Sequence, residues 1–289
     1  MRRVLFIINP ISGGGKAKQF SKYLRKNKAD LDINFDIIFT KPAISIQENL
    51  KKLNLDNWDI IIAAGGDGTV NDTASAIINK NIHMGIIPLG SGNGLARHLK
   101  MPLKPVNALK KILKGKPKEI DVGYFNNRPF INMAGIGFDG YVANMFADSK
   151  KRGIQTYAKC VIQGLKQFKP AIYDIEIDGK RYQHEAYLVA FANSKQYGSN
   201  FFIAPYGSLV DGVIDITVIN KVSLVQIPRL ALALRTRNLN KLPFVNMYKG
   251  RNIKVFNLNE EDSHVDGEPL SVSGDLMVNV KTSQINLII

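Results

Sequence analysis

The chain has 289 residues, room for about two domains at ~150 residues each, with ample core in both. Hydrophobic residues make up 45% and charged residues 22%, which excludes a disordered or fibrous chain. The 39 Lys+Arg against 24 Asp+Glu give a net charge of +15, which favours an anionic partner: nucleic acid, a phosphorylated ligand or an acidic membrane surface. Cys160, the single cysteine, excludes an internal disulfide framework and fits a reducing compartment.

Met1-Arg2-Arg3 followed by Val4 to Ile8 opens like a signal peptide, but the apolar run is five residues long and stops at Asn9-Pro10. It reads as a first β-strand, since a signal peptide needs ~7–15 apolar residues and a small-residue cleavage site. No later apolar stretch approaches the ~18–20 residues of a membrane span. Up to about residue 120, short β-branched runs alternate with helical segments. Strands are expected at 4–8, 35–39, 60–64 and 85–88, and helices at 16–28, 47–53, 71–78 and 106–113. That alternation predicts a parallel sheet with helices on both faces and ligands at the carboxyl ends of its strands. Beyond about Asp121, period-two runs take over at 125–128, 175–180, 215–219 and 253–257, with Asn126-Asn127 and Asp178-Gly179 placed for hairpin turns. Helical stretches at 141–168 and 224–240 interrupt them. The expected organisation is an α/β domain over 1–125 and a β-rich domain over 126–289, the last strand being a candidate to return to the first domain.

Four glycine-bearing clusters carry the chemistry. The first strand runs into Asn9-Pro10-Ile11-Ser12-Gly13-Gly14-Gly15-Lys16, a turn that offers backbone N–H groups and a helix start to a phosphate. It is not a Walker loop, because Pro10 stands five before Gly15 and Ala17 follows Lys16. The third strand ends in Gly65-Gly66-Asp67-Gly68-Thr69-Val70-Asn71-Asp72. There glycines admit close approach of an anion, and Asp67 can address a phosphate-bound Mg²⁺ or a hydroxyl. Thr69, Asn71 and Asp72 are candidate N-caps of the helix that follows. The third cluster is Pro88-Leu89-Gly90-Ser91-Gly92-Asn93-Gly94-Leu95-Ala96-Arg97, with Leu95 where a dinucleotide fingerprint needs a small residue. Gly135-Ile136-Gly137-Phe138-Asp139-Gly140 does satisfy G-x-G-x-x-G, but no Asp or Glu lies between Asp148 and Asp174 to hold a ribose, so a Rossmann dehydrogenase is rejected. The fourth cluster, His264-Val265-Asp266-Gly267-Glu268-Pro269, reads on its own as a hairpin turn.

Taken together and in order, these segments resemble the diacylglycerol kinase catalytic-domain family, including the bacterial soluble lipid kinases and the sphingosine kinases. The motifs that carry the resemblance are Asn9-Pro10-x-Ser12-Gly13, Gly65-Gly66-Asp67-Gly68-Thr69-x-Asn71-Asp72, Ala134-Gly135-Ile136-Gly137-Phe138-Asp139 and Val265-Asp266-Gly267-Glu268. The resemblance implies a Rossmann-like N-terminal domain, a β-sandwich C-terminal domain, ATP as phosphoryl donor, Mg²⁺ and a lipid hydroxyl such as that of diacylglycerol as acceptor. It places the nucleotide on Asn9, Pro10, Ile11, Ser12, Gly13, Thr40, Gly66, Asp67, Gly68, Thr69, Val70, Asn71, Asp72 and Ser91. Asp67 is then expected to orient the metal or its waters, and Glu268 to accept the proton. A structural Mg²⁺ is implied at Asp211, with Ser208 and Val213 giving backbone oxygens. Two departures stand out: Asp72 where the family often has Glu, and Ser91 with Gly94 where bacterial members read Thr and Asp. The latter leans toward sphingosine- and ceramide-type kinases.

An NAD kinase is the nearest rival, sharing the fold and the central motif. A nucleic-acid-binding protein is the rival from another class, and neither a zinc-finger pattern nor an aromatic RNP motif supports it. The expected partners are a lipid substrate, an anionic membrane surface reached through the Lys110–Lys118 and Leu224–Asn240 segments, and a second copy of the chain, with no nucleic acid. A cytoplasmic location, peripheral at the inner membrane face, goes with them.

Overall fold

A computed structural model describes residues 1–41, 46–149 and 153–289. They form two compact units, one of residues 1–120 with 282–289 and one of residues 121–281.

In the first unit, β1 (Arg2–Ile8) is buried from Val4 onward because it lies between β2 (Ile33–Phe39) and β3 (Ile60–Gly65), paired parallel to both. β3, buried along its whole length, pairs parallel with β4 (His83–Pro88). Strands covered on both faces read as unbroken apolar runs, as these do. Helices supply the cover. α1 (Lys16–Lys26) turns Ala17, Phe20, Ser21 and Leu24 inward at helical spacing, and Phe20 meets Phe6 edge-on with centroids 6.1 Å apart. α2 (Ile46–Lys51), α3 (Asp67–Ala76), α4 (Gly94–His98) and α5 (Pro105–Lys114) complete the set, α5 burying Ala108, Leu109 and Ile112. β5 (Pro117–Phe125) leads into the second unit.

The second unit is antiparallel in the pairings that build it. Its strands are β6 (Arg128–Phe130), β7 (Met133–Gly137), β8 (Ala171–Ile177), β9 (Lys180–Ala192), β10 (Ile214–Asn220), β11 (Val245–Gly250), β12 (Asn252–Val265) and β13 (Glu268–Ile288). The long strands change partners along their length. β9 pairs β8 over 180–186 and β7 over 188–192, while β12 pairs β8 over 253–256 and β7 over 263–265. The apolar faces so enclosed form a core that includes Phe125, Phe191, Ile216, Val255 and Leu276. A second cluster joins β7, β9 and β10 to the helices α6 (Phe138–Ala147), α7 (Ile154–Gln167) and α8 (Ile227–Thr236). The end of β13 belongs to the first unit, where Asn286 and Leu287 pair parallel with His83 and Met84 of β4.

Three helix expectations change. The stretch expected over 141–168 is two helices, since Gly153 at φ +115° cannot continue a right-handed helix; residues 150–152 lie outside the described set. The stretch expected over 224–240 contracts to α8 because Arg237 adopts φ +60°. The helix expected from 71 begins four residues earlier, with Gly66 at its N-cap. Thr69, Asn71 and Asp72 therefore lie inside α3 rather than capping it.

Candidate active site

Parallel register builds the glycine-loop edge of the first unit. Ile8 stands opposite both Phe39 and Ala64, and Gly65 opposite Pro88, so Asn9, Thr40, Gly66 and Leu89 leave the sheet at one carboxyl edge. The main chain ties them there. The amide of Asn9 donates to Ala64 O at 3.0 Å, that of Thr40 to Ile8 O at 2.9 Å, and those of Leu89 and Gly90 to Gly65 O at 2.8 and 3.2 Å.

The loop after β1 is folded by its own residues. The Asn9 side chain accepts the Ile11 amide at 3.2 Å, an Asx turn, and Gly13, Gly14 and Gly15 all take positive φ. A Cβ on Gly13 would stand 2.6 Å from Leu89 O, so this loop rests on the start of the third cluster. The Asn9 amide group reaches Thr69 Oγ1 at 3.5 Å. Ile11 is exposed, whereas Thr69, Val70 and Asn71 are buried; Asp72 is half-buried and Ser91 exposed. Open space lies beside Gly14, Gly15 and Gly68, where an added Cβ would meet nothing within 4 Å. Gly68 and Thr69 sit in the first turn of α3, whose amides have no carbonyl four residues back and whose dipole favours an anion.

Asp67 connects the second and third clusters. Its two carboxylate oxygens accept the amides of Asn93 at 2.9 Å and Gly94 at 2.7 Å. Burial pushes its carboxyl up, against the pull of those amides and of the Arg97 charge. Asn93, at φ +52°, closes the loop from inside by accepting from Gly90 N at 2.9 Å and donating to Gly90 O at 2.7 Å. Arg97 steadies it by donating from Nε to Gly92 O at 3.0 Å. Sequence reasoning gave neither Asn93 nor Arg97 a part. Both lie in the third cluster, and their roles depend on the β3–β4 register.

In the second unit the two remaining motifs are neighbours: Gly135 of β7 stands opposite His264 of β12. Gly140 lets α6 lie against β12, for a Cβ there would be 2.1 Å from Ser263 N. Asp266 and Gly267, at φ +47° and +85°, make the two-residue turn between β12 and β13. The buried Asp266 carboxylate also accepts the amides of Ile131, Asn132 and Met133 at 2.8, 2.9 and 2.8 Å. Burial nonetheless raises its carboxyl to about 6. Gly267 N donates to His264 Nδ1 at 3.3 Å, and His264 Nε2 lies 3.2 Å from Asp139, which also accepts the Tyr197 hydroxyl. Glu268, next in the chain, is about half exposed and stands 3.5 Å from Arg128 Nη2, a partner that sequence reasoning missed.

Of the expected metal ligands, Asp211 has a cationic neighbour. Asp211 is paired with Lys249 at 3.1 Å, and the same ammonium lies 3.5 Å from Asp215, its register partner across β10 and β11. The Asp211–Lys249 pair engages Oδ2 of Asp211, so a cation already faces this carboxylate. Among the described residues no three His, Cys, Asp or Glu side chains converge as a metal site.

A parallel-sheet unit with glycine loops at one edge and an antiparallel sandwich unit with a carboxylate on a tight turn are the two parts of a two-domain kinase. Comparison with known proteins agrees. The diacylglycerol kinase catalytic domain matches residues 3–125, and the YegS C-terminal NAD kinase beta sandwich-like domain matches residues 132–289. A diacylglycerol kinase of Bacillus subtilis (strain 168) is 28% identical over 277 residues, covering 93% of this chain and 90% of that protein. One from Staphylococcus aureus (strain bovine RF122 / ET3-1) is 30% identical over 217 residues, covering 74% and 69%. The crystal structure of a diacylglycerol kinase from Bacillus anthracis str. Sterne shares the fold with a TM-score of 0.78 at 23% identity, covering 99% of this chain and 96% of that one. A second structure from that organism gives 0.83 at 25% identity, covering 99% and 95%. The chain belongs to the diacylglycerol kinase family of ATP-dependent lipid kinases.

Proposed function

We propose that this chain transfers the γ-phosphoryl group of ATP to a lipid hydroxyl, with diacylglycerol as the first acceptor to test. The observation that carries the reading is the collection of Asn9–Gly15, Thr40, Gly66–Thr69 and Gly90–Gly94 at one sheet edge, with open space beside Gly14, Gly15 and Gly68.

Phosphoryl transfer passes through a loose transition state, so the protein's task is positioning and charge neutralisation. Main-chain amides of the first loop and of the α3 start hold phosphate oxygens, and Asp67 keeps the Gly90–Gly94 loop in register with them. Mg²⁺ bound with ATP supplies charge neutralisation on the phosphates. Glu268 accepts the acceptor hydroxyl's proton as bond-making completes, a demand that a carboxylate of modest basicity meets. Arg128 holds that carboxylate on the turn. A structural Mg²⁺ would be held by the Asp211 carboxylate and the backbone oxygens of Ser208 and Val213, with Lys249 on Oδ2 of the same carboxylate.

Ser91 and Gly94 keep a hydroxyl and drop a carboxylate, which makes sphingosine- and ceramide-type lipids the second acceptors to test. Among the described residues no helix is long and apolar enough to cross a membrane, and the +15 charge supports a cytoplasmic protein that meets its lipid peripherally at an anionic surface. Incubation with labelled ATP and a panel of diacylglycerol, sphingosine, ceramide and NAD tests the reading. Phosphorylation of a lipid is the expected result. Phosphorylation of NAD alone would overturn it.

A further inference from the structure

Asp139, the last residue of the second unit's glycine motif, meets His264 of the turn motif in the interior. Both side chains are buried, and Gly135 makes the room for them: a Cβ there would stand 2.8 Å from Asp139 Oδ2 and 3.1 Å from His264 Nε2. One carboxylate oxygen, Oδ2, takes the Tyr197 hydroxyl and lies 3.2 Å from His264 Nε2. The other ring nitrogen is committed too. His264 Nδ1 accepts the Gly267 amide at 3.3 Å, so it is bare, and the proton of the neutral ring sits on Nε2, facing the carboxylate.

That amide belongs to the turn. In a two-residue hairpin the flanking residues pair with each other, here Val265 with Glu268, and the ladder offers no partner to the amides between them. Asp266 N donates instead to Met133 O at 2.8 Å, and Gly267 N to the imidazole. His264 thus holds the residue that immediately precedes Glu268.

We infer that His264, keyed by Asp139, is a positioning residue for the transfer: its imidazole fixes the Gly267 amide and so aims the Glu268 carboxylate at the acceptor hydroxyl. The inference rests on the role proposed above for Glu268, while the hold on the turn is read from the second unit alone. The imidazole acts through the turn and exchanges no proton with the substrate. A histidine that merely filled the core would support the fold, and its loss would be felt as lost stability.

Two amide substitutions separate the ring's two nitrogens. His264→Asn can put an oxygen where Nδ1 stands and keep the Gly267 bond. His264→Gln reaches toward Asp139 instead and leaves Gly267 without an acceptor. Each buries one amide in place of the ring, so the two should lose similar stability in thermal unfolding. Hydrogen exchange at the Gly267 amide, followed by NMR on the full chain, should stay slow in wild type and His264→Asn. It should quicken by about tenfold or more in His264→Gln and in Asp139→Leu, which removes the anchor. With labelled ATP and diacylglycerol, kcat should fall by about 10–10²-fold in His264→Gln and Asp139→Leu and return to within about fivefold of wild type in His264→Asn. KM for ATP should hold throughout, since the proposed nucleotide loops belong to the first unit. In a Glu268→Gln background, His264→Gln should cost nothing further, because its effect passes through that carboxylate.

Equal losses in His264→Asn and His264→Gln overturn the inference, as does wild-type exchange and turnover in Asp139→Leu. A further fall in kcat in the Glu268→Gln background does so too. If lipid is phosphorylated and the exchange pattern holds but kcat ignores His264→Gln, the positioning role fails and the proposed function stands. If wild type phosphorylates no lipid, the proposed function fails, and slow exchange in His264→Asn beside fast exchange in His264→Gln still establishes the hold on the turn.

Discussion

Asp67 and Gly94 are 27 residues apart and are joined at 2.7 Å, carboxylate to backbone amide, across two strand ends of the parallel sheet. With the companion bond to Asn93, the carboxylate holds the third glycine loop to the second. Hydrogen bonds to a charged group are worth ~1.5–3 kcal/mol each, and with desolvation of the carboxylate offsetting part of the two, Asp67→Ala should lower stability by about 2–4 kcal/mol and weaken ATP binding as the loop loosens. Asp67→Asn should recover only part of this, because its NH₂ group would face one of the two amide donors. Calorimetric ATP titration beside thermal unfolding checks both. Unchanged ATP affinity in Asp67→Ala would rule out the positioning role.

Two glycines separate space for packing from space for a ligand. A Cβ on Gly90 would lie 2.6 Å from Gly66 Cα, a backbone atom that cannot swing away. Gly90→Ala should therefore lower stability by about 1–3 kcal/mol, the cost of overpacking, and weaken ATP binding with it. Gly68 lies in open space without positive φ. Gly68→Ala should leave the melting temperature unchanged and weaken ATP binding by about tenfold, as the methyl fills the place of a phosphate oxygen. Wild-type ATP affinity in Gly68→Ala would move the phosphates away from α3.

Much of this arrangement was legible in the sequence, for identifiable reasons. Buried parallel strands such as Ile60–Gly65 announce themselves as apolar runs, and Gly13–Gly15 and Asp266-Gly267 mark places where the backbone must take positive φ. The contacts that fix the site were not legible. Asp67 finds Asn93 and Gly94 only through the β3–β4 register, Arg128 meets Glu268 across 140 residues, and Lys249 faces Asp215 because β10 and β11 pair as they do. Helical periodicity likewise ran through Gly153, because it reports on side-chain faces and not on φ.

Glu268 offers the sharpest test of chemistry as distinct from binding. It stands on the β12–β13 turn, half exposed, with Arg128 3.5 Å away, so its side chain can be changed without disturbing a core. Glu268→Gln should bind ATP as wild type does and lose activity by about 10²-fold or more, the range for removal of a general base. Arg128→Gln should lower activity by less, through looser placement of the carboxylate. Wild-type turnover in Glu268→Gln would remove this residue from the reaction.

Asp266 ties the turn that carries Glu268 to residues 131–133, and burial raises its carboxyl to about 6. The unfolded chain titrates near the ordinary value of ~3.9, so between about pH 4 and 6 the folded state binds more protons than the unfolded one. Stability contributed by this group is then fully present below pH 4 and declines as pH rises to about 6. The whole change is at most about 3 kcal/mol for a shift of about two units at 1.36 kcal/mol each. Asp266→Asn does not titrate. It should be less stable than wild type throughout, because its NH₂ group faces amide donors, but the deficit should be largest near pH 4 and shrink toward pH 7. Chemical denaturation of both proteins at half-unit intervals from pH 4 to 7 measures this difference directly. A deficit that grows with pH would show that the three amides hold the carboxylate ionised and outweigh its burial.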